Sequence, residues 1–391
     1  MARTRTAKRH AHSATVETHS RFGRGWEAPA LLLITTFLFC LGLVSVYSAS
    51  AVRAQAQGLA DYHFVVRQMS GGVIGFALLG AMAILDHRWL RLFAWPLLIG
   101  VLVMLLLTVL PGTEAIAPAT NGARRWLYLG PVGVQPSEFA KLILIAWTAA
   151  LAVKKQDCLT SLTRGLGPFL LVWGLVVGLI AIQPSLTVAA TTLLLCLLVL
   201  FAAGARIAHF VALGVAGLPV MLLAIGNVAY RARRVLAFLN PDEAASGSAY
   251  QPIQALIAVG SGGVLGRGFG RGQQKFGFLP EPHNDYIFAM IGEEWGLVGL
   301  LVVLALFTGF ALIGYRIARE ARDPFSALLA VGLTNLIAVQ AFLHMGVNLA
   351  LLPPTGVTLP LVSYGRSSLL VSMAAVGILM NIARQSAARA E

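Results

Sequence analysis

Long uncharged apolar stretches recur along the chain from residue 28 to residue 383. A membrane-spanning helix needs about 20 mainly apolar residues. Two runs, 165–205 and 325–365, are too long for one helix each, and prolines divide them. We therefore predict an all-α polytopic membrane protein with about ten transmembrane helices. The predicted spans are 29–49, 70–86, 92–110, 137–153, 166–183, 185–204, 207–226, 289–314, 325–349 and 367–383.

The charge content agrees with a chain that is solvated mainly by lipid. Of the 391 residues, 58% are hydrophobic and only 12% are charged, which excludes a disordered chain, a coiled coil and an ordinary soluble enzyme. In a soluble protein the net charge of +13 would suggest a nucleic-acid partner. Here Lys and Arg concentrate in alternate loops, so the positive-inside rule explains most of them. We expect both termini in the cytoplasm, no nucleic-acid partner and no disulfide framework from three cysteines.

The predicted spans divide the chain into three parts. Residues 1–26 carry six Lys and Arg and no long apolar run, so we expect a disordered basic cytoplasmic arm. Residues 27–384 form the ten-helix membrane domain, and residues 385–391 form a cytoplasmic tail. Residues 227–288 form one long external loop between helices 7 and 8.

The first informative polar segment precedes the fourth span on the external side. It contains Arg124 and Arg125, and then Glu138 and Lys141 at the start of the helix. Glu138 and Lys141 are three residues apart and share a helix face at the membrane boundary. They are either a boundary ion pair with a snorkelling lysine or part of a substrate path.

The long external loop carries the second group of cations, Arg231, Arg233 and Arg234, followed by seven glycines in residues 260–272 and then Lys275. The glycines do not form a Walker A loop, because no Gly-Lys-Ser/Thr follows them. With the neighbouring arginines they form either a phosphate cradle or a tight, close-packed turn.

Carboxylates cluster where this loop enters the eighth span, at Asp285, Glu293 and Glu294. On an ideal helix, positions 285 and 293 are about 80° apart, so Asp285 and Glu293 are predicted to share a cavity wall, whereas Glu294 is not. Charges that complement the helix dipole are the alternative. His283 has no second histidine at ligand spacing and is interpreted as structural.

The last polar segment precedes the tenth span and contains Ser363, Tyr364, Ser367 and Ser368. Ser363 or Ser367 could cap that helix. No histidine and aspartate pattern marks any of these serines as a hydrolase nucleophile.

These segments, in this order, resemble the SEDS family (shape, elongation, division, sporulation) over about residues 28–384. Four motifs carry the resemblance: Asn-Gly-Ala-x-Arg-Trp at 121–126, Gln-Pro-Ser-Glu-x-x-Lys at 135–141, Leu-Pro-Glu-x-His-x-Asp-Tyr-Ile-Phe at 279–288 with Gly-Glu-Glu at 292–294, and Pro-Leu-x-Ser-Tyr-Gly-x-Ser-Ser at 360–368. The resemblance implies a SEDS-type bundle in the bacterial cytoplasmic (inner) membrane. It also implies polymerisation of lipid II into peptidoglycan glycan strands.

The resemblance further implies partners and a branch of the family. The expected partners are a class B penicillin-binding protein, which is a transpeptidase, and other membrane proteins of the divisome or elongasome. The long basic arm and the segment 274–280 are similar to the FtsW-like division branch, and the RodA-like elongation branch is the alternative.

The resemblance assigns roles to individual residues. It points to Asp285 as the essential carboxylate, acting as general base in an inverting transfer that releases undecaprenyl pyrophosphate. The candidates for binding the pyrophosphate are Arg125, Lys141 and Glu138, and more weakly Arg124, Arg231, Arg233, Arg234 and Lys275. The candidates for supporting the cavity are His283, Glu293, Ser363, Tyr364, Ser367 and Ser368. No dedicated metal site is visible, although Asp285 and pyrophosphate could hold Mg²⁺ or Mn²⁺.

Two positions depart from the family pattern. Ser185 stands where the family usually has an aspartate, and Arg366 stands where it usually has a glycine. Two other functions stay open at this point, namely a lipid II transporter (flippase) and a non-catalytic scaffold for a transpeptidase.

Overall fold

The computed structural model describes residues 25–120, 122–130, 132–240, 247 and 249–387. Residues 1–24 of the predicted basic arm and residues 388–391 of the predicted tail lie outside the described part. Asn121 of the first motif also lies outside it.

Most of the described chain is helical. In chain order the helices are α1 (Glu27–Ala56), α2 (His63–Ile84), α3 (Trp89–Leu92), α4 (Ala94–Val109), α5 (Pro136–Lys154), α6 (Gly167–Ile182), α7 (Leu186–Ala202), α8 (Ile207–Gly226), α9 (Ala229–Leu239), α10 (Tyr250–Gly262), α11 (Ile287–Glu320), α12 (Pro324–Asn348) and α13 (Arg366–Ala387). A two-stranded antiparallel hairpin, β1 (Leu127–Leu129) and β2 (Val132–Val134), lies between α4 and α5.

The predicted membrane architecture is confirmed. Eight of the described helices are long and apolar enough to span a membrane, and α4 and α7 are shorter apolar helices of 16 and 17 residues. These ten helices match the ten predicted spans in order. The long segment between the seventh and eighth spans is present as predicted, but it contains α9 and α10.

Several helices run past the predicted boundaries. The helix α1 continues to residue 56 and α11 continues to residue 320, although both ends carry charged residues. A charged side chain does not end a helix, because the backbone keeps its hydrogen bonds while the side chain reaches water. The turn predicted at Gln183-Pro184 is confirmed, since α6 ends at Ile182 and α7 begins at Leu186.

The helices α12 and α13 form the centre of the bundle. In their most apolar stretches, 72% and 89% of the residues are buried. Small residues allow close packing of helices in a membrane. A Cβ at Gly377 of α13 would lie 2.4 Å from the carbonyl oxygen of Leu79 in α2. At the other extreme, only 6% of α8 is buried, so this helix lies at the edge of the bundle.

Both ends of the described chain lie on the same side of the bundle. A pocket of about 220 Å³ is lined by Gly25 and Glu27 from one end and by Ser386 and Ala387 from the other. Ten alternating spans require the same arrangement. The opposite side therefore holds the ends of one set of helices and the starts of another. The ends are those of α4, α6, α8 and α12, and the starts are those of α2, α5, α7, α11 and α13.

The glycine-rich segment 260–272 packs against a kink in α11. Gly296 has a φ of +66° within this helix and interrupts its hydrogen-bond ladder. Two N–H groups of the loop then donate to the carbonyls of Glu293 and Glu294, each at 3.0 Å. A Cβ at Gly266 would lie 2.2 Å from the Glu294 carbonyl oxygen, so this contact requires glycine. Of the two interpretations of the segment, the structure supports the tight, close-packed turn.

Candidate active site

A cavity of about 520 Å³ opens on the side of the bundle opposite the termini. It is lined by the starts of α2, α5 and α13, by the second half of α12, and by the segment before α11. Its charged lining residues are Arg67, Arg125, Glu138, Lys141, Glu281, Asp285 and Arg366. The cavity therefore combines cations with carboxylates, and all four sequence motifs contribute directly to it.

Lys141 and Glu138 form a buried ion pair on the first turns of α5. The Nζ of Lys141 lies 2.8 Å from Oε1 of Glu138 and donates to Oε1 of Gln340 in α12 at 2.9 Å. Only 3% of the Lys141 side chain is exposed, so it does not snorkel to the surface. An ammonium group has three N–H donors, and these two contacts leave one for a ligand in the cavity.

Arg125 is held at a second place on the cavity wall. It lies just before β1, and its guanidinium donates to the carbonyls of Gln183 at 3.0 Å and Pro184 at 2.6 Å. These carbonyls belong to the turn between α6 and α7. The planar fork of an arginine held in this way is suited to a phosphate oxygen pair. Ser185 follows the turn, is buried, and donates to Gln183 O at 3.3 Å.

Asp285 lies in the segment just before α11 and is held by hydrogen bonds to its backbone. Its N–H donates to Glu281 O at 3.2 Å, and its carbonyl accepts from Nδ2 of Asn348 at 3.0 Å. The Oδ1 of the same asparagine accepts from Ala289 N–H at 2.9 Å. Asn348, the last residue of α12, therefore ties both sides of the α11 start to the bundle centre. The carboxylate itself points into the cavity, where a Cβ at Gly356 would lie 3.7 Å from Oδ2.

The surroundings of Asp285 raise its pKa to about 6. Burial is the main cause, because protein atoms replace part of the water around the carboxylate although it still lines the cavity. The negative charge of Glu281 raises the pKa further, whereas the cations of Arg234 and Arg125 lower it. A carboxyl group with a pKa near 6 is ionised at neutral pH and is basic enough to accept a proton.

His283 packs against aromatic rings behind Asp285. Its ring centroid lies 4.8 Å from that of Phe64 and 5.6 Å from that of Tyr364, and only 2% of the residue is exposed. Burial lowers the pKa of His283 to about 4, so the ring is neutral at physiological pH. Its carbonyl accepts from Tyr364 N–H at 3.0 Å. The residue supports the cavity from behind, in agreement with its structural interpretation.

The serine-rich segment before α13 contributes both to the wall and to its support. Ser367 and Ser368 line the cavity together with Tyr364. The Oγ of Ser367 accepts from Gln135 N–H at 3.0 Å and so links the starts of α13 and α5. Ser363 is buried behind the wall, where its Oγ donates to Asn284 O at 2.8 Å and accepts from Leu359 N–H at 2.9 Å.

Several predicted binding residues do not line the cavity. Arg124 pairs with Glu114 at 3.0 Å, away from its neighbour Arg125. The guanidinium of Arg231 donates to Ala224 O at 2.9 Å, and that of Arg233 donates to Ala229 O at 3.3 Å. Arg231 thus bonds to a carbonyl near the end of the apolar helix α8, where a cation is favourable. Arg233 bonds instead to the first residue of its own helix α9, one turn back.

Arg234 has an intermediate position. Its guanidinium donates to Pro354 O at 3.3 Å, in the segment that leads from α12 to α13. It does not line the cavity, but its charge lowers the pKa of Asp285. It therefore influences the site electrostatically.

Lys275 and Glu293 hold the glycine-rich loop and do not line the cavity. The Nζ of Lys275 lies 3.3 Å from Glu294 Oε1 and donates to Gly270 O at 2.7 Å. The carboxylate of Glu293 accepts two loop N–H groups, at 2.7 and 3.2 Å. The prediction that Asp285 and Glu293 share a cavity wall is wrong, because α11 begins at Ile287 and Asp285 precedes the helix.

Sequence reasoning missed the contribution of α12. Gln340 holds Lys141, and Asn348 holds the backbone of Asp285. Between them His344 is hydrogen-bonded to Val357 O at 2.7 Å. These polar residues recur every four positions in an apolar helix and so lie on one face toward the interior. This four-residue spacing could have predicted a polar face of α12 toward the site.

Comparison with known proteins agrees with this architecture. Residues 29–388 match the family described as "cell cycle protein", which is the family of FtsW, RodA and SpoVE. The chain is 41% identical over 352 residues to the probable peptidoglycan glycosyltransferase FtsW of Geobacter sulfurreducens, covering 90% of this chain and 94% of that protein. It is 40% identical over 356 residues to stage V sporulation protein E of Bacillus subtilis, covering 91% and 96%.

Solved structures show the same similarity. A chain of a peptidoglycan synthase complex that coordinates polymerization and crosslinking matches with a TM-score of 0.74 and 29% identity, over 91% of this chain and 97% of that one. The rod shape determining protein RodA of Thermus thermophilus matches with a TM-score of 0.65 and 27% identity, over 91% and 96%. The chain is therefore a multi-pass membrane protein that belongs to the SEDS family of FtsW, RodA and SpoVE.

Proposed function

We propose that this protein is a peptidoglycan glycosyltransferase that polymerises lipid II at the outer face of the bacterial cytoplasmic membrane. The observation that carries the proposal is the common cavity of Asp285, Lys141 and Arg125. It places one proton acceptor and two cations on the side of the bundle opposite the termini. The curated relatives include proteins named probable peptidoglycan glycosyltransferase, and this supports the same activity here.

In the proposed reaction a sugar hydroxyl of the acceptor attacks the anomeric carbon of the donor. The new C–O bond forms as the bond from that carbon to the pyrophosphate oxygen breaks, and undecaprenyl pyrophosphate leaves with the electron pair. Asp285 accepts the hydroxyl proton, a role that is typically worth about 10²–10⁴-fold in rate. A single displacement with one base inverts the anomeric carbon. No general acid is required, because pyrophosphate leaves as a stable anion.

The leaving pyrophosphate gains negative charge in the transition state and needs positioned cations. Lys141 has one N–H left for it, and Glu138 and Gln340 fix the direction of that lysine. Arg125 is anchored by two carbonyls and approaches from the turn between α6 and α7. Because these protein contacts fix both cations in place, little reorganisation is needed during the reaction.

The cavity residues could bind a divalent cation only together with oxygens of the substrate. Within the described residues, no group of three His, Cys, Asp or Glu side chains could hold a metal ion. Glu138 is engaged by Lys141 and Glu281 by Arg53, which leaves Asp285 as the carboxylate available in the cavity. Mg²⁺ or Mn²⁺ would therefore be held by Asp285 and pyrophosphate oxygens, and would neutralise charge on the leaving group.

The proposed cellular role is that of the FtsW-like division branch, with both termini in the cytoplasm. The proposed partners are a class B penicillin-binding protein and other divisome membrane proteins. The match to a chain of a peptidoglycan synthase complex supports such a transpeptidase partner. A RodA-like role in elongation is the first alternative. A role in sporulation is the second, because the identity to stage V sporulation protein E is nearly as high as that to FtsW.

A lipid II transporter and a non-catalytic scaffold make different predictions. A transporter needs polar access from both sides, whereas the polar groups of this cavity come from helix ends on one side. A scaffold keeps its function when the base is removed.

The test is polymerisation of purified lipid II by this protein, alone and with its cognate transpeptidase. Asp285→Ala abolishes glycan strands in the polymerase account, while insertion and partner binding persist. Lys141→Ala and Arg125→Ala lower the rate strongly. Arg124→Ala is the matched control, because Arg124 adjoins Arg125 in sequence but does not line the cavity. Strand synthesis at the normal rate by Asp285→Ala would refute the base assignment.

A further inference from the structure

Two arginines of the cavity are not used by the proposed pyrophosphate site. Arg67 lies one turn into α2, and Arg366 is the first residue of α13. Both line the cavity. Within the described part of the chain, neither guanidinium makes a hydrogen bond or an ion pair. Both are therefore cations that face the cavity, and neither is paired with another described residue.

Arg366 of α13 packs against the face of α2 that carries Arg67. Gly71 lies one turn after Arg67 and therefore on the same face of the helix. A Cβ at Gly71 would lie 3.1 Å from Cγ of Arg366, so the stem of Arg366 crosses α2 where glycine leaves room for it. The aliphatic stem of Arg366 thus packs on the face of α2 that carries Arg67, and both arginines line the same cavity.

This arrangement is unfavourable without an anion. Like charges on neighbouring side chains repel each other. Arg366 also places its charge at the start of α13, which is the positive end of the helix dipole. An anion between the two guanidiniums removes both penalties and can accept hydrogen bonds from both forks.

The pair lies on a different wall from the first cationic site. Lys141 is fixed by α5 and α12, and Arg125 is fixed by the turn between α6 and α7. Arg67 and Arg366 belong to α2 and α13. The cavity of about 520 Å³ therefore has two cationic walls, each built on its own helices.

The chemistry of the proposed function requires two such walls. Glycan polymerisation joins two sugars that are each linked to a prenyl chain through a diphosphate, so two diphosphates are present at once. The face of α2 next to Arg67 is open to lipid, with Val73 68% and Ile74 60% exposed. A prenyl chain lying along this face places its diphosphate beside Arg67.

We propose that Arg67 and Arg366 form a second diphosphate-binding site, which holds the second prenyl-linked substrate while Lys141 and Arg125 hold the first. This inference rests on the proposed function, because it names a further substrate site in the same cavity. It also gives Arg366 a role that the glycine usual at this position could not provide.

The test is the binding stoichiometry of a prenyl diphosphate that carries no sugar, measured on the purified full-length protein. No turnover is possible with this probe, so the result does not depend on polymerase activity. The wild type is expected to bind two molecules. Arg366→Gly is expected to weaken one site at least tenfold and leave the other within twofold, and the surviving site shows that the variant is folded. Arg366→Lys keeps the charge and retains intermediate affinity.

Two further variants separate the sites and control for net charge. Lys141→Met weakens the first site and leaves the Arg366 site intact. Arg271→Ala removes an exposed cation of the external loop that does not line the cavity, and it leaves both sites unchanged.

Three results would overturn the proposal. The wild type could bind one molecule only, or Arg366→Gly could bind two with unchanged affinity. Alternatively, Arg366→Gly could weaken binding of complete lipid II but not of the prenyl diphosphate, which would assign Arg366 to a stem-peptide carboxylate. If two prenyl diphosphates bind and lipid II is never polymerised, the second site stands and the proposed function fails.

Discussion

The pKa of Asp285 predicts how polymerisation responds to pH. The carboxylate accepts a proton only when it is ionised, and its pKa is raised from 3.8 to about 6. The rate is therefore expected to be constant above about pH 7 and to fall as the pH drops through 6. A carboxylate with the ordinary pKa would keep its full activity down to about pH 5.

The size of the effect follows from the ionised fraction. With a pKa of about 6, roughly 97% of Asp285 is ionised at pH 7.5 and about 9% at pH 5, so the rate falls about tenfold. Glu281 raises this pKa by charge repulsion. Glu281→Gln is therefore expected to move the midpoint to lower pH, whereas Arg234→Ala removes a cation and moves it to higher pH.

The assay is the initial rate of lipid II polymerisation at subsaturating substrate between pH 5 and pH 8, with stability monitored at each pH. Glu114→Gln serves as the control, because Glu114 is an exposed acid between α4 and α5 and does not line the cavity. A wild-type rate that stays constant down to pH 5 would show that ionisation of a group with a pKa of about 6 does not control polymerisation. Identical midpoints for wild type, Glu281→Gln and Arg234→Ala would do the same.

Three further predictions concern stability. Lys141→Met leaves the carboxylate of Glu138 buried without its cation, so we expect a loss of about 3–5 kcal/mol in unfolding free energy, which Glu138→Gln in the same chain largely restores. Gly266→Ala is expected to lower the unfolding free energy by about 2–4 kcal/mol in a denaturant titration, because a Cβ there meets an α11 carbonyl at 2.2 Å. The control Gly270→Ala is expected to cost only ~1–2 kcal/mol, because its backbone has a positive φ but its Cβ meets open space. Asp285→Asn is expected to stabilise the protein by about 1–2 kcal/mol at pH 7.5, because the raised pKa means that ionised Asp285 disfavours the fold, and cavity water screens part of the effect. This gain shrinks as the pH falls through 6 towards 4 and is measured by thermal unfolding at several pH values.

The helical bundle could be predicted because lipid leaves few solutions for an apolar chain. Ten apolar stretches dictated ten spanning helices, and the break at Gln183-Pro184 followed from proline chemistry. The boundaries were less predictable, because helices such as α1 and α11 continue into water through charged residues. The helices α9 and α10 were missed, since residues 227–288 carry no long apolar run to mark them.

The candidate site could be predicted only where the chemistry lies within one motif. Glu138 and Lys141 are three residues apart on one helix, so their pairing follows from helix geometry. The separation of Arg125 from Arg124 depends on which carbonyls face each side chain, and that is set by the tertiary fold. Glu293 was misplaced because Asp285 was treated as part of the same helix, whereas Asp285 precedes α11.

The kinetics of the first turnover show most clearly whether Asp285 acts as the base in glycosyl transfer. The protein with its partner is mixed with lipid II in excess, so that donor and acceptor are both bound, and release of the first undecaprenyl pyrophosphate is followed in wild type and in Asp285→Asn. We expect substrate affinity to change less than about threefold while the release rate falls at least about 100-fold. A release rate close to that of the wild type, at equal affinity, would contradict it.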